Sequence, residues 1–197
     1  MNIVNEDAKV IRSFQDKFRY LLPTATIHAP GNFNISYKTA MHAFMSYMVT
    51  DNHHALLLRN LNAWDLERLR ESDIVALDHS GWENRVEIMH QVTLQKFLSN
   101  EKFMNMLMIR DSEYEAFIFE NKNHDNFWGD CICGFREECY EEGKNHLGRI
   151  LLSVREEIRS VLSNVPTVKE AFPKIYEIQQ SREKRFKEHD NKIPVKS

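Results

Sequence analysis

The residues best suited to chemistry lie between positions 125 and 155. There an acid (Asp125), an aromatic pair and a glycine (Phe127-Trp128-Gly129), three cysteines (Cys131, Cys133, Cys139) and an amide at a helix start (Asn145) follow one another closely. A loop carrying a carboxylate beside a tryptophan suits a sugar or a nucleotide, because an aromatic face stacks on any base. Gly129 lets a backbone come close to whatever lies against it. The helix after the loop opens at Gly143-Lys144-Asn145, and a helix N-terminus carries free N–H groups that can face an anion. Asn145 has two compatible readings, a contact to a ribose hydroxyl or phosphate and a helix N-cap. Arg155 reads as a structural ion-pair partner rather than a phosphate clamp. The stretch is read as one wall of an active or ligand site.

The cysteines raise a second chemistry. With His124 or His146 they would make the three-thiolate, one-imidazole set that binds zinc tetrahedrally. The spacing C-x-C-x5-C lacks a paired C-x2-C knuckle and the loop is acidic, so the expectation is exposed, reduced thiols and no metal. An odd number of clustered cysteines also makes no disulfide framework.

These residues need a scaffold. At 197 residues, 42% apolar and 28% charged, the chain can bury a real core as one soluble globular domain with short extensions. Only 6 glycines and 5 prolines leave few tight turns, so the chain should be mainly helical. A formal charge of −3 argues against general nucleic-acid binding through a basic surface. No apolar run approaches the roughly 20 residues that span a bilayer, and the polar start is unlike a signal peptide. The expectation is a cytoplasmic protein with no membrane partner.

The spacing predicts a helix over 3–20, with Val10, Ile11, Phe14 and Phe18 on one side, and a short strand over 32–37. A helix capped by Thr39 follows, carrying Met41, Phe44, Met45 and Met48 on an apolar face, then helical pieces around 55–61 and 63–71. Trp82, Val86, Met89, Thr93 and Phe97 form one stripe of a helix over 82–99. A helical turn or two at 102–109 and a strand over 114–119 precede the central motif. Its helix buries Leu147, Ile150, Leu151, Val154, Ile158 and Leu162. Pro166 marks a break, and 167–189 reads as a last helix ending in a basic, solvated tail. The fold class is α+β, a predominantly helical single domain with a small β-sheet.

Four segments, in order, resemble the NADAR domain family, the YbiA-like N-glycosidases. They are Tyr37-Lys38-Thr39-Ala40-Met41-His42-Ala43-Phe44; Trp82 with Arg85, Met89 and Lys96-Phe97-Leu98-Ser99-Asn100; Asp125 with Phe127-Trp128-Gly129; and Gly143-Lys144-Asn145-His146-Leu147-Gly148 running to Arg155. The resemblance spans roughly residues 17–160, and the last two segments together are its specific part. Three departures stand out. Met41 occupies the position where the family has a glutamate in a T-x-E-H setting. The family's serine–asparagine–phenylalanine run is missing, Tyr20-Leu21 being followed by Leu22-Pro23-Thr24. The acidic insert over 130–142 is longer than the usual linker.

The resemblance implies cleavage of the C1′–N bond of ADP-ribosyl or phosphoribosyl compounds, ADP-ribosylated guanine included, with no metal or redox cofactor. Asp125 would be the catalytic group. Bond cleavage builds oxocarbenium-like charge on the ribose, which a fixed carboxylate stabilises, and the same group can orient or deprotonate water. Trp82, Trp128, Gly129, Asn145, Arg19 and His42 would contact substrate, Trp128 more directly than Trp82, whose place at a helix start also fits a core role. A thioether at Met41 carries neither a proton nor a charge. His42 does not replace the glutamate, because one helical residue turns it about 100° away. The alternative is a non-catalytic reader of NAD or ADP-ribose, and a third reading is a helical interaction protein whose acidic loop meets a partner. The partner is a small nucleotide, with nucleic acid only as a modified substrate. The domain reading is an N-terminal helical extension (1–16), a NADAR-like domain (17–163) and a C-terminal helix with its basic tail (164–197).

Overall fold

The computed structural model describes residues 9–62, 83–111 and 113–162. Among these residues, three short ladders are described. Strand β1 (Val10–Ile11) pairs in parallel with β4 (Ala116–Phe117); β2 (Ala29–Pro30) pairs antiparallel with β3 (Ser36–Tyr37); and β5 (Glu120–Asn121) pairs in parallel with β6 (Asp130–Cys131). The segment from β4 to β5 is the hub. Ile118 N donates to Ile11 O at 2.8 Å on one side, and Asp130 N donates to Phe119 O at 2.9 Å on the other. The loop carrying Asp125 and Trp128 is thus the crossover between β5 and β6.

The helix expected over 3–20 is not what forms in its described part. Val10 and Ile11 are a strand, and Asp16–Leu21 is a 3₁₀ helix entered through Asp16 at φ 48°. The reason is tertiary. The β-branched pair finds a partner strand far along the chain, and Glu115 N reaches back to Lys9 O at 2.6 Å. The expected strand over 32–37 is realised only at its end, as β3; Asn32–Asn34 is a 3₁₀ turn with Phe33 at φ 56°.

Helix α1 (Ala40–Ser46) starts where Thr39 accepts a hydrogen bond from His42 N, the predicted cap. Helix α2 (Asn52–Asn60) is capped by Asp51, which accepts from His54 N at 2.9 Å. Helix α3 (Arg85–Leu98) is buried all round from residue 91 to residue 98, which fits a central core helix rather than an amphipathic surface one. Helix α4 (Glu101–Asn105) runs into a π-helical turn, Met106–Arg110. Helix α5 (His146–Leu162) buries Leu147, Ile150, Leu151 and Val154 at the predicted spacing.

The chain divides into two compact units, Met1–Arg155 and Glu156–Ser197. The described part of the second carries an exposed Arg159–Glu156 ion pair on one helical face. Trp82, the helical piece at 63–71 and the C-terminal region over 164–197 lie outside the described residues. Among the described residues, no helix is long and apolar enough to cross a membrane.

Candidate functional site

The β5–β6 crossover is built by amide side chains standing in for backbone. Buried Asn121 donates to Asp125 O at 2.7 Å and accepts from Asp125 N at 3.2 Å and Asn123 N at 3.0 Å. Asp125 then turns the chain itself. Its Oδ1 accepts from Phe127 N at 3.0 Å and Trp128 N at 2.8 Å, an Asx-type turn. The two N–H dipoles hold that oxygen in place, and Oδ2 has no protein partner among the described residues. Asp125 therefore caps a turn through one oxygen, and the residue also lines a cavity.

That cavity has a volume of about 790 Å³ and is bordered by Asp125, Trp128, Met41, Phe44, Met89 and the loop residues 121–124, among others. Trp128 is half-buried and braced edge-on by Phe44 (5.7 Å between centroids) and Phe127 (4.9 Å). Phe127 is in turn packed by the Arg85 guanidinium at 4.2 Å and by His146 at 4.5 Å. Ser13, Thr24, Asn123 and Lys122 add polar groups to the lining. A cleft of this size, lined by polar and apolar residues in similar numbers, is large enough for a nucleotide-sized ligand.

Met41, where the family resemblance leads one to expect a glutamate, lines this cavity. Asp125 and Trp128 share the cavity with it. Of the other expected contacts, those among the described residues do not. Asn145, at φ 48°, spends its amide on the hub: Nδ2 donates to Phe117 O at 2.8 Å and Oδ1 accepts from Phe119 N at 3.0 Å. It braces the wall from behind. The helix start is likewise occupied. Gly143 N donates to Asp130 Oδ1, Lys144 N to Asn126 O, Asn145 N to Gly129 O, His146 N to Phe127 O and Leu147 N to Trp128 O. Residues 143–147 therefore have no N–H to offer an anion, because the tryptophan loop has already capped the helix.

Gly129 is buried, and its close approach is to protein: a Cβ there would lie 2.2 Å from Phe119 O. Arg19 is exposed on the 3₁₀ helix and takes no part in the lining. His42 is 1% exposed and does not line the cavity either. Its Nε2 reaches Leu61 O at 3.0 Å and its Nδ1 reaches Thr39 Oγ1 at 2.7 Å, an arrangement satisfied by the neutral Nε2–H tautomer. Burial holds its pKa below the usual histidine range, partly opposed by the Leu61 carbonyl and reinforced by Lys38. Arg155 is buried and donates to the backbone carbonyls Asp111 O and Tyr114 O, where the sequence suggested an ion-pair partner.

Two features escaped the sequence reading. Asn121 fixes the Asp125 backbone, and the only hint was a run of turn-forming residues after a strand (Asn121, Asn123, Asp125). Lys96 is fully buried on α3, donates to Leu22 O at 2.8 Å behind the cavity lining, and has its pKa pushed down to about 7 by burial. The cysteines also differ from expectation. Cys131 and Cys139 are buried and Cys133 is half-buried, rather than exposed.

Comparison with known proteins gives a consistent picture. The NADAR domain profile matches residues 13–159. An N-glycosidase of Nostoc punctiforme is 39% identical over 79 residues, 40% of this chain and 44% of that protein. A riboflavin biosynthesis protein of Vibrio vulnificus is 37% identical over 82 residues, 41% of this chain and 19% of its own length. The chloroplastic riboflavin biosynthesis protein PYRR of Arabidopsis thaliana is 26% identical over 190 residues, 79% of this chain and 30% of that one. The alignments thus span less than half the length of each of these relatives. The NMR structure of the Escherichia coli protein YbiA superposes with a TM-score of 0.66, covering 82% of this chain and 92% of that one at 17% identity, a likeness of fold.

Proposed function

This chain belongs to the NADAR domain family, and from that premise we propose that it is an N-glycosidase hydrolysing the C1′–N bond of an ADP-ribosyl or phosphoribosyl N-glycoside, ADP-ribosylated guanine being one such substrate. The observation that carries this reading is the shared cavity of about 790 Å³ with Asp125 and Trp128 among its lining residues. Water adds across the bond: its hydroxyl goes to C1′, the bonding pair leaves with the base, and its proton ends on the base. Asp125 stabilises the positive charge that grows on the ribose and orients or deprotonates the water. Oδ1 is anchored by two N–H groups, so Oδ2 is the oxygen available for this work. Trp128, held edge-on by two phenylalanines, offers its face to base or ribose. The phosphate end falls to the polar lining, Ser13, Thr24 and Lys122, since the helix start is occupied.

The test is to incubate the protein with NAD, ADP-ribosylated guanine in DNA and a phosphoribosylated pyrimidine, and to measure free base and free sugar phosphate. Release from at least one substrate supports the reading. A second reading, a binding domain for NAD or ADP-ribose without turnover, is favoured by Met41 at the cavity wall. It expects binding without release in the natural chain, and release on Met41→Glu.

A further inference from the structure

The loop on either side of the tryptophan motif gathers four metal-ligating side chains. His124 comes from the turn before Asp125, Cys131 from the end of β6, Cys133 from the next turn and Cys139 from the 3₁₀ turn Glu137–Cys139. Their ligand atoms all lie within 4.8 Å of one another. Cys133 Sγ is 3.3 Å and Cys139 Sγ 3.5 Å from the same His124 Nδ1. A tetrahedral zinc with bonds of about 2.3 Å to sulfur and about 2.0 Å to nitrogen has ligand-to-ligand edges of about 3.5–3.8 Å. We propose that Cys131, Cys133, Cys139 and His124 Nδ1 form a closed, structural zinc site that ties the acidic loop to the edge of the cavity.

Hydrogen bonding alone accounts poorly for the cluster. A neutral imidazole Nδ1 has one lone pair and accepts one S–H, yet two sulfurs converge on it. A disulfide between any two thiols would leave the third sulfur and the imidazole unserved. A borderline-soft cation satisfies all four at once, and three thiolates with one imidazole suit zinc in both ligand type and geometry.

The surrounding chain is shaped for the purpose. His124 sits at φ 62° and Gly134 at φ 69°, which lets the chain fold back at both ends of the cluster. Asn126 Oδ1 accepts from Cys131 N at 2.8 Å while its amide reaches Glu138 O, joining the two sides of the loop. Four protein ligands leave no open position, so the role is structural. His124 and Ile132 belong to the cavity lining, so the metal would fix the wall beside Asp125. The irregular C-x-C-x5-C spacing is no obstacle, because the fourth ligand arrives from the preceding turn.

The proposal stands apart from the glycosidase reading, since metal content is measured without any substrate. The full chain, produced with zinc under reducing conditions and passed through gel filtration, is expected to retain about one zinc per molecule. Cobalt(II) in its place should give the intense visible bands of a tetrahedral site together with thiolate charge transfer. Stripping zinc with a chelator should lower the melting temperature, and zinc alone should restore it. Cys133→Ser, at the half-buried position, should weaken zinc binding by about 100-fold or more, the upper end of what even an outer-shell change costs. A natural chain that retains no zinc, an octahedral cobalt spectrum, or a Cys133→Ser variant that binds as tightly as the parent would each overturn the site. The first two need no variant and so do not depend on how the variant folds.

Discussion

At the residue scale, the same side-chain types serve chemistry and architecture, and hydrogen-bond geometry separates the two. Asn145 is the clearest case. Its amide is consumed by Phe117 O and Phe119 N, so Asn145→Gly, which keeps the left-handed backbone unstrained, should cost about 2 kcal/mol of stability. Denaturant unfolding checks this; a phosphate-binding role would instead raise KM at unchanged stability. Lys96 makes a pH prediction. Folded, it holds its proton only up to about 7, against an ordinary value of 10.5. The unfolded chain therefore carries the extra proton between these values, and stability climbs as pH rises through that window. Below about pH 7 the whole cost of burying the charge is present. Lys96→Met should be more stable than the parent near pH 6, with the advantage shrinking by about 2 kcal/mol near pH 9. Melting curves of both proteins at the two pH values give the answer.

At the scale of elements, the tryptophan loop, the β4–β5 hub and the start of α5 behave as one piece. Three glycines permit their contact: a Cβ at Gly148 would meet Phe117 O at 1.9 Å, at Gly129 Phe119 O at 2.2 Å, and at Gly143 Gly129 O at 2.3 Å. Gly148→Ala should therefore destabilise by about 3 kcal/mol, although alanine is the better helix former. A rise in melting temperature instead would show that the hub and helix are not in close contact. The local elements were legible from the sequence because their signals are local. Thr39 caps α1, and the stripe from Leu147 to Val154 faces the core, as spacing alone indicated. Val10 and Ile11 misled because their strand partner, Ala116–Phe117, is supplied by tertiary structure that periodicity does not encode. The helix start looked like an anion seat for the same reason. Nothing local says that the carbonyls of 126–129 fold back to cap it.

At the scale of the whole molecule, the α+β class and the family were legible, and the family match over residues 13–159 agrees with the stretch that the motifs marked. The candidate site was legible in part. Asp125, Trp128 and position 41 do border one cavity, whereas Asn145, His42 and Gly129 support protein contacts, and Arg19 stays outside. Motifs preserve both kinds of residue alike, so a pattern cannot tell a wall from its buttress. Met41, where the family resemblance leads one to expect an acid, borders the cavity, and Asp125 is the carboxylate that the tryptophan loop brings to the same lining. If turnover occurs without the second acid, Met41→Glu should change its rate, read as kcat on the best substrate, without lowering the melting temperature by more than about 1 kcal/mol equivalent.

The central claim, that the Asp125 charge drives cleavage in this cavity, is tested most directly by single-turnover base release from the best substrate with the natural protein and with Asp125→Asn. Asparagine keeps a side-chain oxygen for the Phe127 and Trp128 N–H groups and removes only the charge. Release at least about 100-fold slower with substrate binding retained is the predicted result. An equal rate in the two proteins would contradict the account.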